Sequence, residues 1–247
     1  MSRSCANLAT RLLLPALLAC AATACVDEAG RAREQAAAQS AADETAAGAA
    51  AAAFDDAVAK GNWPLAKAQG DVLLARYPGT GAADRIRAGH AEAVAKAEAA
   101  RATARLASLW TYTTQAVDGG SQLSAAIDAR DRVDVDGSGP GPVQLIFRDH
   151  PSWGRSSYLV LKAGDFDCYG ACRVRVSIDD GAPVPMAANR PDTDEAIAMF
   201  VDDERALWKK IDGAGTLAIE FPVKAGGTRT AVFEVGGLDR SRLPAWN

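Results

Sequence analysis

Residues 164–181 read GDFDCYGACRVRVSIDDG, and the second half of that stretch decides what kind of fold surrounds it. Cys172, Val174, Val176 and Ile178 alternate with Arg173, Arg175 and Ser177. Successive side chains of an extended chain point to opposite sides, so this segment reads as a β-strand with one apolar face and one wet, basic face. Asp179-Asp180-Gly181 closes it with turn residues. Just before it, Cys168 and Cys172 bracket Tyr169-Gly170-Ala171, a small spacer able to turn.

Working outward, residues 110–117, 122–129, 143–149, 156–163, 195–201, 217–223 and 228–235 carry similar patterns. The clearest sets Leu217, Ile219, Phe221 and Val223 against Thr216, Ala218 and Glu220. One helix interrupts the series: acids at Asp202-Asp203-Glu204 suit its start, Lys209-Lys210 suit its end, and Leu207, Trp208 and Ile211 form its buried side. Short strands separated by turn residues predict an antiparallel β-sandwich or barrel over 109–247, with the sandwich preferred, long enough to bury a core of its own.

Residues 25–108 predict a helical spacer or small bundle. The segment 31–60 is rich in alanine, the best helix former, and Phe54 and Val58 are its first packing pair. Gly61-Asn62 ends that helix, and Asn62 with Pro64 starts the next. Leu65, Ala68, Val72 and Ala75 then recur at helical spacing as its expected apolar face. Tyr77-Pro78-Gly79 stops it, and a third helix over 81–108 places Ile86, His90, Ala93 and Ala97 on one face, with His90 expected to be packed. Phe54, Ala57, Gly61-Asn62-Trp63, Ala66, Leu73 and Tyr77-Pro78 resemble a single tetratricopeptide-type hairpin, with Gly70 standing where a large residue is usual. There is no second copy, and solenoids need about three or more.

The first 24 residues read as a signal peptide. Arg3 and Arg11 precede the uncharged run 12–24, which at 13 residues falls short of the ~20 that span a bilayer. A small residue followed by cysteine at the end of such a run resembles the bacterial lipobox. Cys25 follows Ala22-Thr23-Ala24 and opens a polar sequence, so it is the preferred lipidation site; Cys20, after Leu17-Leu18-Ala19, is the alternative. Cleavage without lipid also remains open. In either case the chain is expected in an oxidising compartment, where Cys168 and Cys172 read as a disulfide that pins the turn into the strand.

A net charge of −4 argues against nucleic acid as a partner. From Leu109 onward, 20 acids against 15 bases give −5. Two histidines, His90 and His150, supply little for zinc or His-based catalysis. Asp134-Val135-Asp136-Gly137-Ser138-Gly139 begins like a calcium loop but has Leu145 in place of the bidentate glutamate. His150 with Ser152 and Asp149 lacks any oxyanion or nucleophile-elbow motif. No catalytic centre, cofactor or metal site is expected. Tyr169, Arg173 and Arg175 are the candidate contact surface.

The order of an opening Trp110, GDFDC…C, VRVSIDDG, Phe200-Val201, the helix 207–211, TLAIEF and VFEVGGLD resembles the β-sandwich domain of Gram-negative envelope lipoproteins. It is distantly similar to the TagO-type accessory proteins of type VI secretion. The resemblance covers about 109–240 and implies a sandwich on a periplasmic lipoprotein, lipid-anchored to the outer membrane. The expected function is non-enzymatic binding of a protein or envelope component. Alternatives are an immunity lipoprotein that plugs an effector enzyme, through a loop such as 131–142, and a cell-envelope hydrolase. Mass spectrometry of the membrane fraction should recover an acylated peptide beginning Cys25-Val26-Asp27, lost in Cys25→Ser; an acylated Cys20 or a free, unlipidated N-terminus would reject that assignment.

Overall fold

The computed structural model describes residues 17–191 and 197–247. They fall into two compact units, one ending at Glu98 and the other running from Ala99 to Asn247. Residues 1–16 of the expected leader lie outside the described residues, as do the side chains of Cys20 and Cys25.

The first unit holds α1 (Leu17–Ala59), α2 (Trp63–Arg76) and most of α3 (Gly81–Ser108). Gly61, at φ +65°, turns the chain out of α1. Asn62 then caps α2, its side chain accepting the Leu65 N–H at 3.2 Å. At the start of α3, Thr80 Oγ1 accepts the Ala83 N–H at 3.2 Å. The Glu44 carboxylate accepts the N–H groups of Gly81 and Ala82 at 3.2 and 3.3 Å, a negative charge where the helix dipole favours it. Ala47, Ala51, Phe54 and Ala57 of α1 share a small core with Ala66, Leu73, Ile86 and Ala93.

The apolar face of α2 differs from the one its spacing predicts. Leu65, Ala68, Val72 and Ala75 face solvent, with Leu65 43% and Val72 54% exposed, while Ala66, Gly70 and Leu73 are buried. The distance between packed helices depends on the side chains at their contact, and here Ala66 and Gly70 take that place beside the buried Leu73. Gly70 is the decisive residue. A Cβ there would stand 2.3 Å from His90 Cδ2, and His90 in turn holds Asp71 Oδ1 through Nε2 at 2.8 Å. The glycine that departs from the tetratricopeptide pattern is thus what admits the histidine, which is packed as expected.

The second unit is built on nine strands: β1 (Trp110–Val117), β2 (Gly120–Asp128), β3 (Val143–His150), β4 (Gly154–Leu161), β5 (Cys172–Ile178), β6 (Val184–Asn189), β7 (Ala198–Val201), β8 (Leu217–Pro222) and β9 (Thr228–Phe233). All neighbours are antiparallel, in the order β1-β2-β3-β4-β7-β6-β5-β8-β9. With α4 (Glu204–Lys210) between β7 and β8, capped by Asp203, the chain is α+β: an N-terminal helical segment followed by an antiparallel sheet with one helix. A sandwich divides its strands between two sheets, whereas here the hydrogen bonding runs unbroken through all nine. The thinnest joint is β6–β7, with only the pairs Ala188↔Val201 and Asn189↔Phe200. The Arg130 N–H, just past β2, donates to Val232 O on β9 at 2.7 Å, so the segment leaving β2 reaches the edge strand at the other end of the order.

β6 has no counterpart in the sequence reading, because VPMAAN carries a proline and little β-branching. Pro185 is tolerated since β7 reaches only Ala188 and Asn189, leaving the side of β6 next to Pro185 unpaired, where no N–H is needed. The expected strand over 195–201 begins at Ala198, and residues 195–196 lie outside the described residues.

Phe147 centres the core. Trp208 of α4 and Trp246 near the C-terminus meet it edge-on, with centroids 5.1 and 5.4 Å away, and Trp110 lies at 6.3 Å. The end of α3 is tied to the region after β9 by the Arg105 guanidinium, which grips both Glu234 oxygens at 3.1 and 2.8 Å.

Gly70→Ala should destabilise the helical unit in urea unfolding followed by circular dichroism, because overpacking costs about 1–3 kcal/mol against a helix-propensity gain of about 1 kcal/mol. In a His90→Ala background the same substitution should instead stabilise by about 1 kcal/mol. Absence of that sign reversal would reject the packing argument.

Candidate interaction face on the sheet

Along β3, Val143, Leu145 and Phe147 are buried while Gln144, Ile146 and Arg148 sit half-exposed on the opposite face. The register carries that outer face sideways in one row, Ala126↔Ile146↔Tyr158↔Phe200↔Asn189, across β2, β3, β4, β7 and β6. The Tyr158 and Phe200 rings are 5.0 Å apart. In the next row Arg148 pairs with Ser156, and its Nε donates to Ser156 Oγ at 3.2 Å.

The Arg148 guanidinium lies between two aromatic rings, 5.3 Å from the Tyr158 centroid and 5.4 Å from that of Trp153. Both distances are within the ~6 Å reach of a cation–π attraction. No carboxylate among the described residues pairs with it, and its two terminal nitrogens have no hydrogen-bond partner there.

Trp153 is 71% exposed yet firmly placed. It ends the three-residue connection 151–153, which Gly154 closes at φ +71°. His150 Nδ1 accepts the N–H groups of Ser152 and Trp153 at 3.1 and 3.3 Å, and the imidazole stacks on the indole at 3.9 Å and 14°. His150 is therefore the brace of this turn. Its Nδ1 faces backbone donors, and no bond joins it to the Ser152 hydroxyl or to Asp149.

The GDFDC segment docks on the β8–β9 hairpin: the Asp167 N–H donates to Pro222 O, the Lys224 N–H donates to Asp165 O, and Phe166 meets Phe221 edge-on at 5.4 Å. The sulfurs of Cys168 and Cys172 lie at disulfide distance, 2.06 Å. Asp165 ion-pairs with the buried Arg190 at 2.6 Å, and Tyr169 lies over that guanidinium at 4.5 Å. Of the sequence candidates, Tyr169 therefore joins Arg190. Arg175 reaches Glu220 at 3.5 Å, Arg173 is exposed, and no described interaction joins Tyr169 to either. Asp134 and Asp136 spend carboxylate oxygens on their own loop, accepting the Gly137 and Ser138 N–H groups at 2.7 and 2.9 Å. Among the described residues no group of three or more His, Cys, Asp or Glu is placed to hold a metal ion.

Arg148, Trp153, Tyr158 and Phe200 escaped the sequence reading. The run FRDHPSWGRSSYLV does hold Arg148, Trp153 and Tyr158 within eleven positions, but alternation inside one strand does not say that they and Phe200 of a later segment share a face.

No family model matches the chain, and neither a curated protein nor a solved structure matches it.

Burial raises the Tyr158 phenol above its usual value, and the Arg148 charge pulls it partly back. Arg148→Gln should raise it further in a tyrosinate absorbance titration. Because the folded value lies above the unfolded one, stability is full below the unfolded value near pH 10 and falls as pH rises through the folded one. A Tyr158 titration that ignores Arg148 would separate the two groups.

Proposed function

We propose that the chain is a membrane-tethered periplasmic lipoprotein whose β-unit binds a protein or another envelope component without catalysing a reaction. The observation that carries this reading is the fixed ladder Trp153–Arg148–Tyr158–Phe200 on the outside of the sheet. Trp, Tyr and Arg dominate the energetic centres of protein interfaces. A rigid indole exposed beside half-exposed rings is costly to leave in water and loses little entropy on binding. The leader and lipobox-like cysteines support the tether, with Cys25 preferred over Cys20, and the resemblance to envelope lipoproteins supports the address. Among the described residues no helix is long and apolar enough to cross a membrane, and the proposed anchor is the acylated cysteine. Cys168 and Cys172 would be cross-linked in the oxidising compartment.

Capture from envelope extracts on the immobilised mature chain, compared with Trp153→Ala, tests the reading. A partner retained by the wild type and lost by the variant, with unfolding midpoints unchanged, is the expected result. Recovery of no partner, or of partners held equally by both, would reject the ladder as the binding face.

A further inference from the structure

We infer that the Trp153–Arg148–Tyr158 arrangement is a receptor for a single carboxylate carried on an otherwise apolar peptide segment of a partner protein. The inference rests on the binding-module reading and names the chemistry of its partner.

Three observations carry it. First, Arg148 is a cation whose only described hydrogen bond uses Nε, leaving Nη1 and Nη2 as a parallel pair of donors. That fork matches the two oxygens of a carboxylate, and a lysine ammonium would not reproduce it. Second, the guanidinium is flanked at 5.3 and 5.4 Å by Tyr158 and Trp153, which hold it in place and thin its hydration. A charge-assisted hydrogen bond gains strength where water is thinned. Third, the same face continues into Ile146, Tyr158 and Phe200 along one register row, so an anion arriving at Arg148 brings its neighbours onto an apolar surface.

Charge selects among anions. With 20 acids against 15 bases from Leu109 onward, the surrounding field opposes a polyanion such as nucleic acid or an acidic lipid surface. An isolated Asp or Glu side chain meets one unpaired arginine and little accumulated repulsion. The apolar row then rewards a hydrophobic residue next to that acid. The occupant is an extended segment pairing one acid with a neighbouring Trp, Phe, Leu or Ile.

The test pans a displayed random dodecapeptide library against the immobilised mature chain, followed by titration of the enriched synthetic peptides. Enrichment of Asp or Glu adjacent to, or one residue removed from, a large apolar residue is expected. Arg148→Gln should weaken those peptides about 10- to 100-fold, as loss of a charged hydrogen-bonding group does, and Arg148→Lys by less. Replacing the peptide acid by its amide should cost a similar factor against wild type and almost nothing against Arg148→Gln. Arg148 is half-exposed on the outer face, so the variant should keep the wild-type unfolding midpoint, and the lysine variant provides a second charged control. The inference is overturned by a library showing no acidic enrichment, by equal peptide affinity for Arg148→Gln, or by Arg148-dependent binding to vesicles of anionic phospholipid in place of peptides. If Arg148→Gln still captures the envelope partner that Trp153→Ala loses, the binding module stands and the carboxylate receptor falls.

Discussion

Phe147 pointing inward is the constraint from which the rest of the β-unit follows. Its ring gathers Trp208 from α4 and Trp246 from the C-terminal turn, both edge-on, and Trp110 from the first strand, tilted, into one cluster. Such pairs add to the burial of their area, and burying large rings dominates the stability of a core of this size. Once Phe147 is inside, the two-residue period of the strand leaves no choice for its neighbours. Ile146 and Arg148 must stand outside.

The same parity passes from strand to strand through the register. Leu159 opposite Leu145 places Tyr158 opposite Ile146, and Met199 opposite Leu159 places Phe200 opposite Tyr158. Burying the aromatic cluster on one side thus places Ile146, Tyr158 and Phe200 in one half-exposed row on the other. The β3–β4 turn completes the outer face because His150 accepts two backbone N–H groups and presents its ring to Trp153. Core packing, turn chemistry and the proposed contact surface are linked by a few residues within one hairpin.

The helical unit obeys a different rule. On α2 the buried side is Ala66, Gly70 and Leu73, and Leu65 and Val72 are left in water. Hydrophobic spacing on α2 offered two overlapping faces, and spacing alone weighs Leu above Gly. Close approach reverses that weighting, since a glycine admits a histidine ring where a leucine would hold the helices apart.

Local pattern was enough for much of this protein. The alternation from Cys172 to Ile178, the acids and bases at the ends of α4, the Gly61-Asn62 break and the turn residues all act over a few positions, and strands, helices and the α+β class follow from them. Other features depend on which segments meet. β6 is a strand because β5 and β7 offer it partners, and Pro185 is harmless there only because β7 stops short. Arg148 lies between rings from its own strand's turn and from the neighbouring strand, and Tyr169 finds Arg190 twenty-one positions away. One-dimensional order carries periodicity and capping, which are short-range properties of the backbone. Which face is left unpaired, and which charge is left without a counter-ion, emerges only when distant strands take their register.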